Sequence, residues 1–226
     1  MDTIVAKITN DSLTDKKIYE QAGKILREGG LVAFPTETVY GLGADALDEE
    51  ASAKIYAAKG RPSDNPLIVH IADIEALYKL SCEVPDKALK LADKFWPGPL
   101  TMILKKSDIV PDSITGGLGT VAIIMPSHKV AAELIRTSGV YIAAPSANTS
   151  GKPSPTRASH VIKDLSGKID MIIEDDTVDI GVESTIIDLS EEVPTILRPG
   201  YITKEMFEEV IGVVRIDPAI TEGVKS

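Results

Sequence analysis

Apolar residues along this chain recur in two alternating patterns. Short unbroken runs are separated by longer stretches in which every third or fourth residue is apolar. The runs at 5–9, 31–34, 67–71, 100–104, 121–125, 140–144, 171–173, 184–189 and 195–197 read as strands. They are rich in Val, Ile and Leu and lack a helical period, which suits a buried pleated surface. The stretches at 14–28, 49–58, 73–81, 86–95, 127–138, 158–165 and 203–211 read as helices. In the first of these, Ile18, Ala22, Ile25 and Leu26 share a face, and Gly29-Gly30 is the stop signal. Thr203 is the expected N-cap of the last, and Trp96-Pro97-Gly98-Pro99 breaks the helix before it. Between two strands, Thr115 to Thr120 reads as a flexible glycine loop.

Several of these strands are short, and some neighbours have no helix between them. A wholly parallel sheet needs a crossover at each step, so the pattern predicts an α/β fold with a twisted mixed sheet flanked by helices. No Pro/Gly/Ser-rich linker divides the chain before about Val214, so a single domain over 1–213 is expected. Residues 214–226 are polar and read as a tail or the start of a linker.

Composition narrows the function classes. The 226 residues are 43% hydrophobic but only 4% aromatic, so an ordinary core must be built from Ile, Leu, Val and Ala. The single Cys82 excludes an internal disulfide framework, and His70, His128 and His160 are too scattered for zinc-ligand spacing, so no metal site is predicted. No apolar run approaches a membrane span and the first residues lack a signal-peptide pattern, so a cytoplasmic protein without membrane contact is expected. With 24 basic and 34 acidic residues the formal charge is −10, which disfavours a broad nucleic-acid-binding surface while leaving room for a small basic cleft.

Polar clusters at the ends of the apolar runs are the candidate chemistry. Lys59-Gly60-Arg61-Pro62 closes a helix, and Pro145-Ser146-Ala147-Asn148 follows a buried strand. Two cations with a hydroxyl and an amide suit a polyphosphate, although a lysine and a glycine at a helix end also satisfy the macrodipole and the C-cap. Thr36-Glu37-Thr38 leaves a strand, where turns commonly collect such residues. Gly116-Gly117-Leu118-Gly119 is no Walker loop, because no Lys-Ser/Thr follows it. Nothing matches a Ser-His-Asp triad or a cysteine nucleophile, so the implied chemistry is positioning and electrostatics.

The ordered series Phe34-Pro35-Thr36-Glu37-Thr38-Val39-Tyr40-Gly41-Leu42, Lys59-Gly60-Arg61-Pro62, Asn65-Pro66-Leu67, Trp96-Pro97-Gly98-Pro99-Leu100-Thr101, Pro145-Ser146-Ala147-Asn148 and Gly181-Val182-Glu183-Ser184-Thr185 resembles the YrdC-type family of threonylcarbamoyl-adenylate synthases, over about residues 14–208. The resemblance implies a large concave cleft, and a nucleotidyltransferase that makes threonylcarbamoyl-AMP and pyrophosphate from L-threonine, bicarbonate and ATP. A downstream transferase would then modify tRNA. It implies that Lys59 and Arg61, as the catalytic cations, hold the triphosphate and adenylate with Ser146 and Asn148. Asn65, Thr120, Ser154 and Arg198 would be further ATP contacts. Thr36, or Thr38 in its place, would surround threonine with His70 and Ser184, and Mg²⁺ would arrive with the phosphates. Two positions depart from the family pattern: Ile124 stands where an arginine is usual, and Asp175-Asp176 where Gly-Gly is common. The alternatives are a related enzyme handling another carbamoyl or acyl adenylate, and a non-catalytic RNA-binding module.

Overall fold

An aspartate starts the first long helix. Asp11 accepts a hydrogen bond from Thr14 N at 2.9 Å, so α1 (Ser12–Arg27) opens ahead of the expected start at 14. The computed structural model describes residues 2–60, 65–175 and 178–222. Before α1 lies β1 (Ile4–Lys7), and after it come β2 (Val32–Pro35), β3 (Tyr40–Asp45) and α2 (Glu49–Lys59). The chain continues through β4 (Ile68–His70), α3 (Glu75–Leu80), α4 (Asp86–Phe95) and β5 (Leu100–Lys105). A single helical turn, α5 (Asp112–Thr115), precedes β6 (Thr120–Ile124), α6 (Lys129–Ser138) and the short β7 (Ile142–Ala143). The last third holds α7 (Ala158–Leu165), β8 (Met171–Glu174), β9 (Thr185–Asp188), β10 (Thr195–Arg198), α8 (Lys204–Ile211), β11 (Arg215–Ile216) and α9 (Pro218–Glu222).

Among the described residues the strands join in the order β1-β8-β2-β3-β7-β4-β6-β5-β9-β10-β11. Parallel pairs such as β4 with β6 and β5 with β9 occur together with antiparallel ones such as β2 with β3 and β5 with β6, which is the expected mixed sheet. Strand alternation divides the core in two. Val32, Phe34, Met171 and Ile173 face α1 and α6, whereas Ala33 and Ile172 belong to the larger cluster with Ile55, Leu77, Leu91 and Phe207. The cap expected at Thr203 is present, accepting from Met206 N at 3.3 Å. No helix among the described residues is long and apolar enough to cross a membrane.

Three differences from the sequence reading have physical causes. The segment Tyr40–Asp45 is a central strand buried on both faces, although Gly41 and Gly43 weaken its strand signal. Gly43 is demanded by packing: a Cβ there would lie 2.6 Å from Ile142 Cγ2 and 2.8 Å from Phe34 Cε1. The expected glycine loop at 115–120 begins inside the α5 turn, which a four-residue helix is too short to announce by periodicity. Residues 214 onward do not begin as a loose tail, because Val214 is buried in the larger cluster and Arg215–Ile216 pairs in parallel with β10.

Gly43→Ala should therefore destabilise the protein by about 1–3 kcal/mol through overpacking. Urea denaturation measures it, and a midpoint equal to wild type would show that the β2–β3–β7 contact has room to spare.

Candidate active site

The C-terminal end of α2 organises one wall of a cleft. Gly60 ends the helix in the left-handed region at φ 66, a conformation that side chains with a Cβ resist. The preceding Lys59 side chain runs inward and is only 2% exposed. Its ammonium donates to the carbonyls of Ser146 and Asn148, the latter at 2.8 Å, and to Asn148 Oδ1 at 3.3 Å. A buried ammonium needs acceptors for its protons, and the loop after β7 supplies them. The loop is cross-tied in turn: Ser146 Oγ donates to Asn148 Oδ1 at 2.5 Å, and Asn148 Nδ2 donates to Lys152 O at 2.8 Å. Lys59 and Asn148, expected as direct phosphate contacts, also frame this loop, and Ser146 lines the cleft. Arg61 lies outside the described residues.

Further lining comes from the β2–β3 turn and the ends of β4 and β6. Thr36 Oγ1 donates to Val39 O at 2.6 Å and accepts from Thr38 N at 3.2 Å, a side-chain-closed turn that leaves Thr36 and Thr38 side by side, hydroxyls 3.0 Å apart, in the cleft lining. Behind them Glu37 is buried, and that burial raises its pKa despite backbone N–H donors from Ser127 and His128. Tyr40 OH donates to the carbonyl of Asp175 at 2.7 Å, which places the first residue of the Asp175-Asp176 pair behind this lining; Asp176 is outside the described residues. His70 and Ile124 are paired across β4 and β6 and both line the cleft. Burial pushes His70 down to about 4, against the opposing hydrogen bonds to the Ile68 and Ile142 backbones, so it faces the cleft as a neutral ring.

A third part of the lining is an ionic cluster whose central carboxylate, Glu183, the sequence did not assign. Arg198 NH1 donates to Glu183 Oε2 at 2.8 Å, and Ser154 Oγ donates to Glu183 Oε1 at 2.7 Å. Arg198 also donates through Nε to Ser184 O at 2.9 Å and through NH2 to Ser184 Oγ at 3.0 Å. The carboxylate of Glu183 therefore ties together Ser154 and Arg198, both expected as ATP contacts, and orients Arg198 on Ser184, expected at threonine. Glu183 lies within the Gly181-Val182-Glu183-Ser184-Thr185 motif, but a lone carboxylate carries no signal of its own before the fold supplies its partners.

Asn65 also lines the cleft, its carbonyl accepting from Tyr56 OH at 2.7 Å. Thr120 opens β6 at the end opposite Ile124, four residues or roughly 13 Å along the strand, so only an extended ligand would meet both. The cleft encloses about 320 Å³. A groove of about 440 Å³ elsewhere is lined by Glu83, Asp86, Glu191 and Glu192 against Lys87 and Lys105. That excess of carboxylates repels phosphate, and none of the sequence-predicted residues lies there. Among the described residues no three His, Cys, Asp or Glu side chains gather as a metal site.

The Sua5/YciO/YrdC family model, described as "Telomere recombination", matches residues 24–200. The threonylcarbamoyl-AMP synthase of Pyrococcus abyssi is 57% identical over 218 residues, covering 96% of this chain and 64% of the relative. That of Bacillus subtilis is 54% identical over 216 residues, covering 95% of this chain and 62% of the relative. The chain thus spans less than two thirds of the length of these curated relatives. The structure of P. abyssi Sua5 complexed with L-threonine superposes with a TM-score of 0.92 at 54% identity, over 98% of this chain and 64% of that one. Escherichia coli YciO shares the fold at a TM-score of 0.78 and 24% identity, over 92% of this chain and 100% of that one.

Two outcomes follow from the geometry. Lys59→Met should leave the loop carbonyls without a donor and destabilise the fold by on the order of 1–3 kcal/mol, read by chemical denaturation; wild-type stability in that variant would show that the ammonium does not hold the loop. Between the ordinary histidine pKa of about 6.5 and the about 4 of His70, the unfolded chain binds a proton that the folded one does not. Stability should therefore fall as pH drops through that window, and His70→Gln should flatten that part of the curve. An unchanged slope would mean that His70 titrates as if in water.

Proposed function

The chain belongs to the Sua5/YciO/YrdC family, and from that membership and the cleft we propose that it is a threonylcarbamoyl-AMP synthase, a nucleotidyltransferase acting on L-threonine, bicarbonate and ATP. The observation that carries this reading is convergence. Thr36, His70, Ser146, Ser184 and Arg198 come from sequence segments far apart, yet they line one cleft. Their hydroxyls, ring and guanidinium match a ligand that joins an amino acid to a nucleotide.

In the proposed reaction the threonine amine combines with bicarbonate to give a carbamate, with loss of water. A carbamate oxygen attacks the α-phosphorus, the bond to the bridging oxygen breaks, and pyrophosphate leaves with the electron pair. No covalent enzyme intermediate is needed, so the protein's part is to align the groups and to balance developing charge. Ser146 on its Lys59-held loop, with Ser154 and Arg198, takes the nucleotide side, and Arg61 adds a planar fork for the triphosphate. Thr36 or Thr38, His70 and Ser184 take the threonine side, where Ile124 supplies an apolar contact in place of a charge. Mg²⁺ enters as part of the nucleotide, held by its phosphates. The product passes to a transferase that modifies tRNA, and the setting is the cytoplasm. A net charge of −10 fits handing over a small adenylate better than binding tRNA along its backbone.

Ile124 in the cleft lends weight to a second reading, an enzyme of the same chemistry acting on a different amino acid. Pyrophosphate release from ATP and bicarbonate, with L-threonine, L-serine or no amino acid, separates the two. Threonine should drive release, with serine less efficient by roughly tenfold or more for its missing methyl. Release that ignores the amino acid would overturn the assignment, and a preference for serine would favour the second reading. RNA binding without any release would point to a binding module.

A further inference from the structure

Thr101 is the second residue of β5, which pairs in parallel with β9 so that Leu100 is opposite Thr185. The Thr101 and Ser184 hydroxyls therefore meet at the cleft end of the sheet, 2.7 Å apart, with Thr101 fully buried. Each hydroxyl has one proton to give and two lone pairs to receive. Among the described residues Ser184 Oγ is the hydrogen-bond partner of the Thr101 hydroxyl. If Ser184 gave its proton to Thr101, the Thr101 proton would be buried without an acceptor, the costly arrangement. Thr101 is therefore the donor. Arg198 NH2, which can only donate, meets the same Ser184 oxygen at 3.0 Å.

Both lone pairs of Ser184 are thereby occupied, and its own proton is left to the cleft it lines. We propose that Thr101 is a positioning residue that makes Ser184 a one-way donor to the carboxylate of the amino-acid substrate, with Arg198 behind it lending its charge. Glu183 fixes the guanidinium and so holds one NH2 on Ser184. A hydroxyl that accepts from a cation is a stronger donor, and it is matched by an anionic oxygen rather than by an ammonium or a neutral hydroxyl. In the same sheet Ile124 pairs with Thr101 and His70 with Ile124; the first is apolar and the second neutral, so the carboxylate is met through Ser184 and not by a direct charge from β4 or β6. This inference rests on the proposed function, and it adds the polarity of the contact, the end of the substrate it recognises and the residue that sets it.

Calorimetric titration of L-threonine, and of L-threoninol, which lacks the carboxylate, tests it without relying on turnover. Thr101→Val should weaken L-threonine binding roughly tenfold, leave ATP binding unchanged, and be rescued by Thr101→Ser. The double variant Thr101→Val/Ser184→Ala should bind no more weakly than Ser184→Ala, because both act through one proton. Wild-type threonine affinity in a folded Thr101→Val protein, an equal loss for ATP, or additive losses in the double variant would each overturn the proposal. Should Thr101→Val fail to fold, Ser184→Ala decides: a loss for L-threonine but not for L-threoninol supports it, and equal losses overturn it. A wild-type protein that binds no L-threonine would instead overturn the functional reading, and this inference with it.

Discussion

The buried ammonium of Lys59 is the contact on which the site depends. It ties the end of α2 to the carbonyls of the loop after β7, with Ser150 N returning a bond to Lys59 O at 3.0 Å. The same loop is stitched to β3, where Leu42 N donates to Pro145 O and Ala147 N to Tyr40 O. Two segments distant in sequence thus converge on one short stretch of backbone, and both hold the loop that carries Ser146. A charge kept this far from water is stable only while its acceptors stay in place, so the loop and the lysine hold each other.

Charge inside the cleft is arranged differently. Arg198 is already engaged by Glu183 and Ser184, and Glu183 also takes the Ser154 proton. An anionic ligand arriving here meets a guanidinium in a fixed orientation rather than a mobile one. Less side-chain freedom is lost on binding, while the Glu183 carboxylate offsets part of the attraction. His70 adds no charge from β4, because burial lowers its pKa to about 4. The protein as a whole carries a net charge of −10, so its overall charge does not draw in an anion and attraction has to come from local groups such as Arg198.

Much of this was legible in the chain. Periodicity located most helices and strands because burying one face of an element leaves a local trace, as Ile18, Ala22, Ile25 and Leu26 do on α1. The motif series pointed to the cleft residues, and Thr36, Asn65, His70, Ser146, Ser184 and Arg198 do line one space. Elements that leave no such trace were missed. β3 carries glycines that only its neighbours Phe34 and Ile142 explain, and β11 is two residues long.

Roles within the site were decided by tertiary structure. A lysine at a helix end reads equally as a macrodipole partner, a phosphate ligand or a buried staple, and its part as a staple appears only in the carbonyls that the fold brings within 3 Å of it. Thr101 is only a residue of an apolar strand until β5 lies beside β9, and Glu183 is only a surface carboxylate until β10 delivers Arg198. Sequence encodes which faces are buried, because hydrophobic burial is a property each residue carries alone. The direction of a hydrogen bond and the placement of a charge belong to pairs, and pairs exist only once the sheet has formed.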